Sequence, residues 1–179
     1  MVLRQRIGLE MAKSKKKAAA RAPILAAGGI VISGSKKPLI AVVQLTEQKT
    51  WVLPKGKLRK KETEIAAAKR EAIEETGRNV VVHEYLGRID YVSGGVPKIA
   101  KFWRMEAKGK PRALMRDVQA VQWLPLDQAI KKLSRARERK FLKSFGPRAL
   151  RLAKPEIRPA PKAPGLFGWL QSLLTGGRR

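Results

Sequence analysis

Apolar residues run almost unbroken from Ile24 to Ile32 and from Leu39 to Leu45. That pattern predicts two buried strands joined by a turn over Ser33–Pro38. The Gly28-Gly29 pair inside the first strand marks a bulge or the close approach of another backbone. Trp51-Val52-Leu53 predicts a short third strand entering a loop, Pro54-Lys55-Gly56-Lys57. Val80–Tyr85 and Gly87–Val92 predict two further strands, Ser93-Gly94-Gly95 a turn, Val96–Ala107 a strand, and Val118–Leu124 a short one containing Trp123. Pro125–Leu133 and Ala136–Phe145 read as helices, with Gly146-Pro147 expected to end the second. Strands, a helix, more strands and more helices predict an α/β fold with a mixed sheet covered on both faces.

The helix between the strand groups carries unusual chemistry. Gly56–Arg78 reads GKLRKKETEIAAAKREAIEETGR, with five acidic side chains in a chain of formal net charge +26. Glu71, Glu74 and Glu75 share a helix face at spacings of three and four, bordered by Arg70. Ile65, Ala66, Ala72, Ile73 and Thr76 fall on the other side as the expected packing face, interrupted by Lys69. Thr63 suits the start of this helix and Gly77 its end. Clustered carboxylates repel, and a hard divalent cation such as Mg²⁺ would offset that repulsion. A solvated face of Arg–Glu pairs explains the same spacing, so the acidic positions alone leave both readings open.

Composition narrows the partners. The 179 residues contain no cysteine, which excludes disulfides and thiolate metal sites. The single histidine, His83, lies in a strand-like run and is assigned a structural or surface role. No apolar run approaches the roughly 20 residues that span a bilayer, and no secretory signal pattern follows the basic start, so a soluble cytoplasmic protein is expected. Residues 1–21 and 148–179 each carry seven Lys or Arg against one Glu, and the middle of the chain is basic as well. Such a body attracts polyanions without choosing among nucleotides, inositol phosphates, nucleic acid and acidic membranes. The expected organisation is a basic arm over 1–22, one domain over 23–147, and a basic Pro-rich tail over 148–179. In that tail, Leu166–Leu174 is a short apolar segment for which membrane-surface contact is the less favoured reading.

The whole segment resembles the Nudix box of Nudix hydrolases. Gly56, Glu62, Arg70, Glu71, Ala72, Glu74, Glu75 and Gly77 match its fixed positions in register, and Arg78 departs where an aliphatic residue is usual. Flanking segments are similar to the branch that hydrolyses diadenosine polyphosphates and oxidised nucleotides: Trp51–Lys57, Pro97-Lys98 with Phe102-Trp103, and Trp123–Leu126 with Ala129, Arg139 and Leu142. The resemblance spans roughly Ala22–Phe145.

It implies an α/β/α sandwich and Mg²⁺-dependent hydrolysis of a phosphoanhydride in a nucleoside diphosphate-linked substrate, with Mn²⁺ as a substitute ion. Dinucleoside polyphosphates and nucleoside triphosphates are the expected substrates. RNA 5′-ends, held by the basic tails, and diphosphoinositol polyphosphates are the alternatives, beside a non-catalytic nucleotide- or RNA-binding module. By resemblance, Glu71, Glu75 and Glu74 are metal ligands together with the Gly56 carbonyl. Arg70 orients Glu71, while Glu62 and Gly77 are structural. Glu62 precedes Arg70 by eight residues and reaches it only from a loop folded back on the helix. The general base is Glu71 or a downstream acid, Glu106 or Asp117. Lys55, Lys57 and Lys98 are candidate phosphate contacts. Tyr91, Phe102 and Trp103 could stack on a base, with a place in the core the favoured reading.

Overall fold

The computed structural model describes residues 22–34 and 37–153. The N-terminal arm up to residue 21 and the tail from residue 154, with its Leu166–Leu174 segment, lie outside the described residues.

Strand β1 (Ile24–Ser33) is the spine of the sheet. Along one edge it pairs in parallel with β6 (Val96–Lys108), from Ile24 opposite Lys98 to Ile32 opposite Glu106. Strand β6 pairs in turn antiparallel with β5 (Asn79–Ser93). Along the other edge β1 changes partner. Ala26–Gly28 pair with β4 (Lys55–Lys57), and Ile32–Ser33 pair with β2 (Leu39–Leu45). Strand β2 also pairs with β3 (Trp51–Val52) and β7 (Val118–Leu124). The sheet is therefore mixed, and it divides along one side of β1.

Alternation of side chains sends neighbouring residues to opposite faces. On one face Ala27, Val31, Ala41, Trp103 and Met105 pack against Ala67, Ala68 and Ala72 of helix α1 (Glu64–Thr76). On the other, Ile30, Ile40, Val42 and Phe102 pack against Phe141, Leu142 and Ala149 of α3 (Ala136–Ala153) and Ala129 of α2 (Leu126–Lys132). This is the expected α/β/α sandwich. Phe102 lies 4.7 Å from Phe141, and Trp103 meets Tyr85 edge-on at 5.4 Å, so both aromatics belong to the core.

Several local expectations change. Val80–Val92 forms one strand, because the irregular register between Val82 and Gly87 is absorbed as a bend without loss of pairing to β6. Lys55–Lys57 is a short strand, β4, because Gly28 lets it come close: a Cβ there would overlap Pro54 O and Lys55. Gly146-Pro147 does not end α3. Pro147 and Lys143, whose carbonyl loses its partner, both face solvent, while Ala149, Leu150 and Ala153 beyond them pack on the core. The domain thus extends to Ala153, past the expected boundary at 147. No described helix is long and apolar enough to cross a membrane.

Candidate active site

Helix α1 begins and ends as its sequence requires. Thr63 Oγ1 accepts from Ala66 N at 3.3 Å, and Gly77 closes the helix in the left-handed region (φ 65°), donating to Ile73 O at 3.0 Å. Its packing face keeps the expected Ala72, Ile73 and Thr76 but drops Ile65 and adds two further alanines. Ile65 is 55% exposed, whereas Ala67, Ala68, Ala72, Glu75 and Thr76 are buried. Small alanines bring the helix down on the sheet, and the same face carries Glu75 inward with them. Glu71 lies on the border of that face, partly buried.

Arg70 organises the outer border. Its guanidinium holds Glu62 in a two-point ion pair, with Nε and Nη2 each 2.8 Å from a carboxylate oxygen. Nη1 donates to Glu71 and, at 3.0 Å, to Glu74, and Nη2 donates to Lys57 O at 3.1 Å. Glu62 reaches Arg70 from the loop before the helix, where it also accepts from Arg59 N at 2.8 Å. These bonds pull the Glu62 carboxyl down to about 2, the Arg70 hydrogen bonds first among the causes, and raise Arg70 further above its usual range. Glu74 is drawn outward between Arg70 and Arg59, the latter at 3.2 Å.

Glu71 and Glu75 sit differently. Burial is the main cause that raises both carboxyls; Arg70 opposes it at Glu71, and the Lys55 charge and N–H oppose it at Glu75. Glu75 still rises to about 8. Each is pushed further up by acidic neighbours, Asp117 among them in both cases. Asp117 stands at the start of β7, its backbone carbonyl accepting from Thr46 N at 2.9 Å. The fold thus brings Glu71 and Glu75 together as two desolvated acids, with the Asp117 charge acting on both from further off.

Gly56 completes this arrangement. A Cβ at this position would overlap the Glu71 carboxylate, so only glycine lets that group lie against β4. Among the described residues, no three His, Cys, Asp or Glu side chains already converge as a metal cage. The donor set here is two desolvated carboxylates beside the backbone of Gly56, all hard oxygen donors of the kind Mg²⁺ takes with its remaining positions left to water and phosphate. The residues present fit a divalent cation, with Glu74 set to one side by its two arginines.

The strap before Gly56 is clasped from both faces. Lys55 N donates to Glu75 Oε2 at 2.9 Å on the α1 side. Leu53 N donates to Glu138 Oε2 at 2.8 Å on the α3 side. Glu138 is fully buried, and Lys55 Nζ lies 3.3 Å from its Oε1, with Arg135 at 3.7 Å. This corrects the expectation that Lys55 contacts phosphate: its ammonium is committed to a buried ion pair. Glu138 was not expected from the sequence. Its signal was present in its position on the apolar stripe with Phe141, Leu142, Phe145 and Ala149, on a helix otherwise rich in cations.

The remaining candidates are scattered. Lys57 is exposed at the end of β4. Lys98 lines a hollow of about 570 Å³ with Tyr91, Val92 and Pro23. It stands opposite Ile24, four residues along β1 from the level of Lys55. Glu106 does not join the carboxylates, which corrects its candidacy as base. It lies opposite Ile32, on the sheet face away from α1, and pairs with Lys108 and with His83 at 3.7 Å. Arg78, the departure from the box, lies 5.8 Å over the Trp123 ring and so still covers an apolar surface.

Residues 22–145 match the NUDIX domain, and the chain belongs to that family. It is 37% identical over 106 residues to an 8-oxo-(d)GTP phosphatase of Mycolicibacterium smegmatis, covering 59% of this chain and 33% of that protein. It is 32% identical over 85 residues to the asymmetrical bis(5′-nucleosyl)-tetraphosphatase of Sus scrofa, covering 44% of this chain and 58% of the other. Among solved structures, a binary complex of the C. elegans Ap4A hydrolase superposes with a TM-score of 0.63 at 26% identity, over 69% of this chain and 96% of that one. The chain thus spans from a third to about three-fifths of the length of these curated relatives.

Proposed function

We infer that this protein hydrolyses a phosphoanhydride bond in nucleoside polyphosphates, with dinucleoside polyphosphates and oxidised nucleoside triphosphates as the substrate class. One observation carries the reading. Two carboxylates are held desolvated in an otherwise strongly cationic protein, Glu71 in the gap that Gly56 leaves and Glu75 on the N–H of Lys55. The activities for which the two relatives are named support the substrate class.

Glu71, Glu75 and the Gly56 carbonyl would hold a divalent cation, Mg²⁺ in the first instance. When bound, such an ion neutralises phosphate charge and acidifies a coordinated water. The chain supplies the rest. Arg70, locked by Glu62, fixes the Glu71 carboxylate in one orientation by a charge-assisted hydrogen bond. Glu71 takes the proton of the attacking water. The new bond forms between water oxygen and phosphorus, and the anhydride P–O bond breaks in line, its electron pair leaving with the departing phosphate. Asp117 reinforces the negative potential and is the alternative base. Lys57 and Lys98 are the chain's candidates for charge contacts with the outer phosphates.

The test is a product-release screen with Mg²⁺ and with Mn²⁺ over diadenosine tetraphosphate, 8-oxo-dGTP, ordinary nucleoside triphosphates, diphosphoinositol phosphates and triphosphorylated RNA. Turnover of the first two well above the others is the expected result. No turnover of any, with the protein folded, would overturn the reading.

A further inference from the structure

Helix α3 carries Arg137, Arg139, Lys140, Lys143, Arg148 and Arg151 but only one acid, Glu138. That acid is fully buried and turned to Lys55, so it offers no countercharge to the outer surface. Arg137, Lys140, Ser144, Arg148 and Arg151 follow at steps of three and four, which aligns them on one ridge about 20 Å long. Lys140, Ser144, Arg148 and Arg151 are exposed. Like charges at these spacings destabilise a helix by tenths of a kcal/mol each. The ridge borders a hollow of about 300 Å³ whose other wall is Arg88 on β5 and whose floor is Phe141 and Phe145, rings 4.6 Å apart. Asp90, the acid in this hollow, is paired with Arg88 at 3.1 Å.

We propose that this ridge and hollow form a binding surface for single-stranded nucleic acid, separate from the hydrolytic site. The cations track a phosphate backbone, and the aromatic floor offers a face on which a base can rest, the combination by which proteins hold single strands without reading sequence. An acidic peptide would satisfy the charges but make no use of the aromatic floor. The surface lies on the sheet face opposite α1 and uses neither Glu71 nor Glu75.

The experiment measures binding of the full chain to a fluorescent 20-nucleotide RNA with a 5′-hydroxyl end, by anisotropy across a salt series. The triple variant Lys140→Gln, Arg148→Gln, Arg151→Gln is compared with a control losing the same charge elsewhere, Lys37→Gln, Lys60→Gln, Lys69→Gln. The ridge variant is expected to bind about tenfold or more weakly and to lower the salt slope by about 2, three contacts at ~0.7 each for a single strand. Its melting temperature should stay level or rise slightly as like charges are removed, and its rate on nucleotides should stay as in the wild type. Equal losses in ridge and control variants would overturn the proposal, since net charge alone would then account for binding. So would poly-glutamate competing as well as RNA does, which would assign the ridge to acidic proteins.

Discussion

Two buried glutamates grip the same strap of chain from opposite faces of the sheet, and they are held in opposite ways. Glu138 on α3 accepts Leu53 N–H and faces two cations, Lys55 and Arg135. Glu75 on α1 accepts Lys55 N–H and is crowded by the charge of a second acid, Glu71. One charge is matched inside the protein; the other is left to be matched from outside. A buried acid held by a backbone N–H and faced by two cations serves the fold, whereas desolvated acids that crowd one another need a cation and so serve chemistry.

Substitution of the two acids should separate these roles. Largest in effect, Glu71→Gln should lower kcat by about 10²–10⁴-fold, the range for loss of a positioned base, and Glu75→Gln should lower it strongly as well by removing a metal ligand. The assay is steady-state hydrolysis, and wild-type turnover in either variant would break the comparison. Glu138→Gln should instead cost about 3 kcal/mol of stability in urea unfolding, because Lys55 is left buried without its partner. Glu75→Gln should cost nothing in the metal-free protein at neutral pH, since the amide oxygen still accepts Lys55 N–H and the carboxyl it replaces, with a pKa of about 8, is itself mostly protonated there. If the two variants unfold at the same urea concentration, Glu75 and Glu138 are alike and the contrast fails.

A smaller effect tests the gap beside Glu71. Gly56→Ala places a methyl group where that carboxylate lies and should cost about 1–3 kcal/mol through overpacking, together with weaker Mn²⁺ binding by calorimetry.

The subtlest test is the pH dependence of melting without divalent ions. Glu75 has a folded-state pKa near 8, above its unfolded value of 4.5, so it holds a proton longer in the folded chain. Its contribution is full below about 4.5 and lost as pH rises through 8; Glu75→Gln should flatten that decline. Glu62 behaves in reverse. With a folded pKa near 2, its stabilisation is present above about 4.5 and lost as pH falls toward 2, so Glu62→Gln should flatten the acid limb instead. Unchanged limbs in the two variants would show that neither carboxyl is held as described.

The chain's own pattern determined the strand and helix alternation and the mixed sheet. It also determined the helix carrying Glu71, Glu74 and Glu75, its Thr63 and Gly77 ends, and the positions of Gly56, Glu62 and Arg70. These are local quantities: hydrophobic period, capping chemistry and residue spacing are written within a few turns of chain. Tertiary structure alone decided which face of α1 meets the sheet. The alanines Ala67, Ala68 and Ala72 won over Ile65 because close approach to the strands needs small side chains, and that choice carried Glu75 inside. It also decided that Lys55 turns to Glu138, 83 residues onward, that Glu106 stands on the sheet face away from α1 and its carboxylates, and that α3 runs through Pro147 to Ala153. Burial and partnership between distant residues depend on how the layers stack, and a charge acquires its chemical role only when that stacking sets what surrounds it.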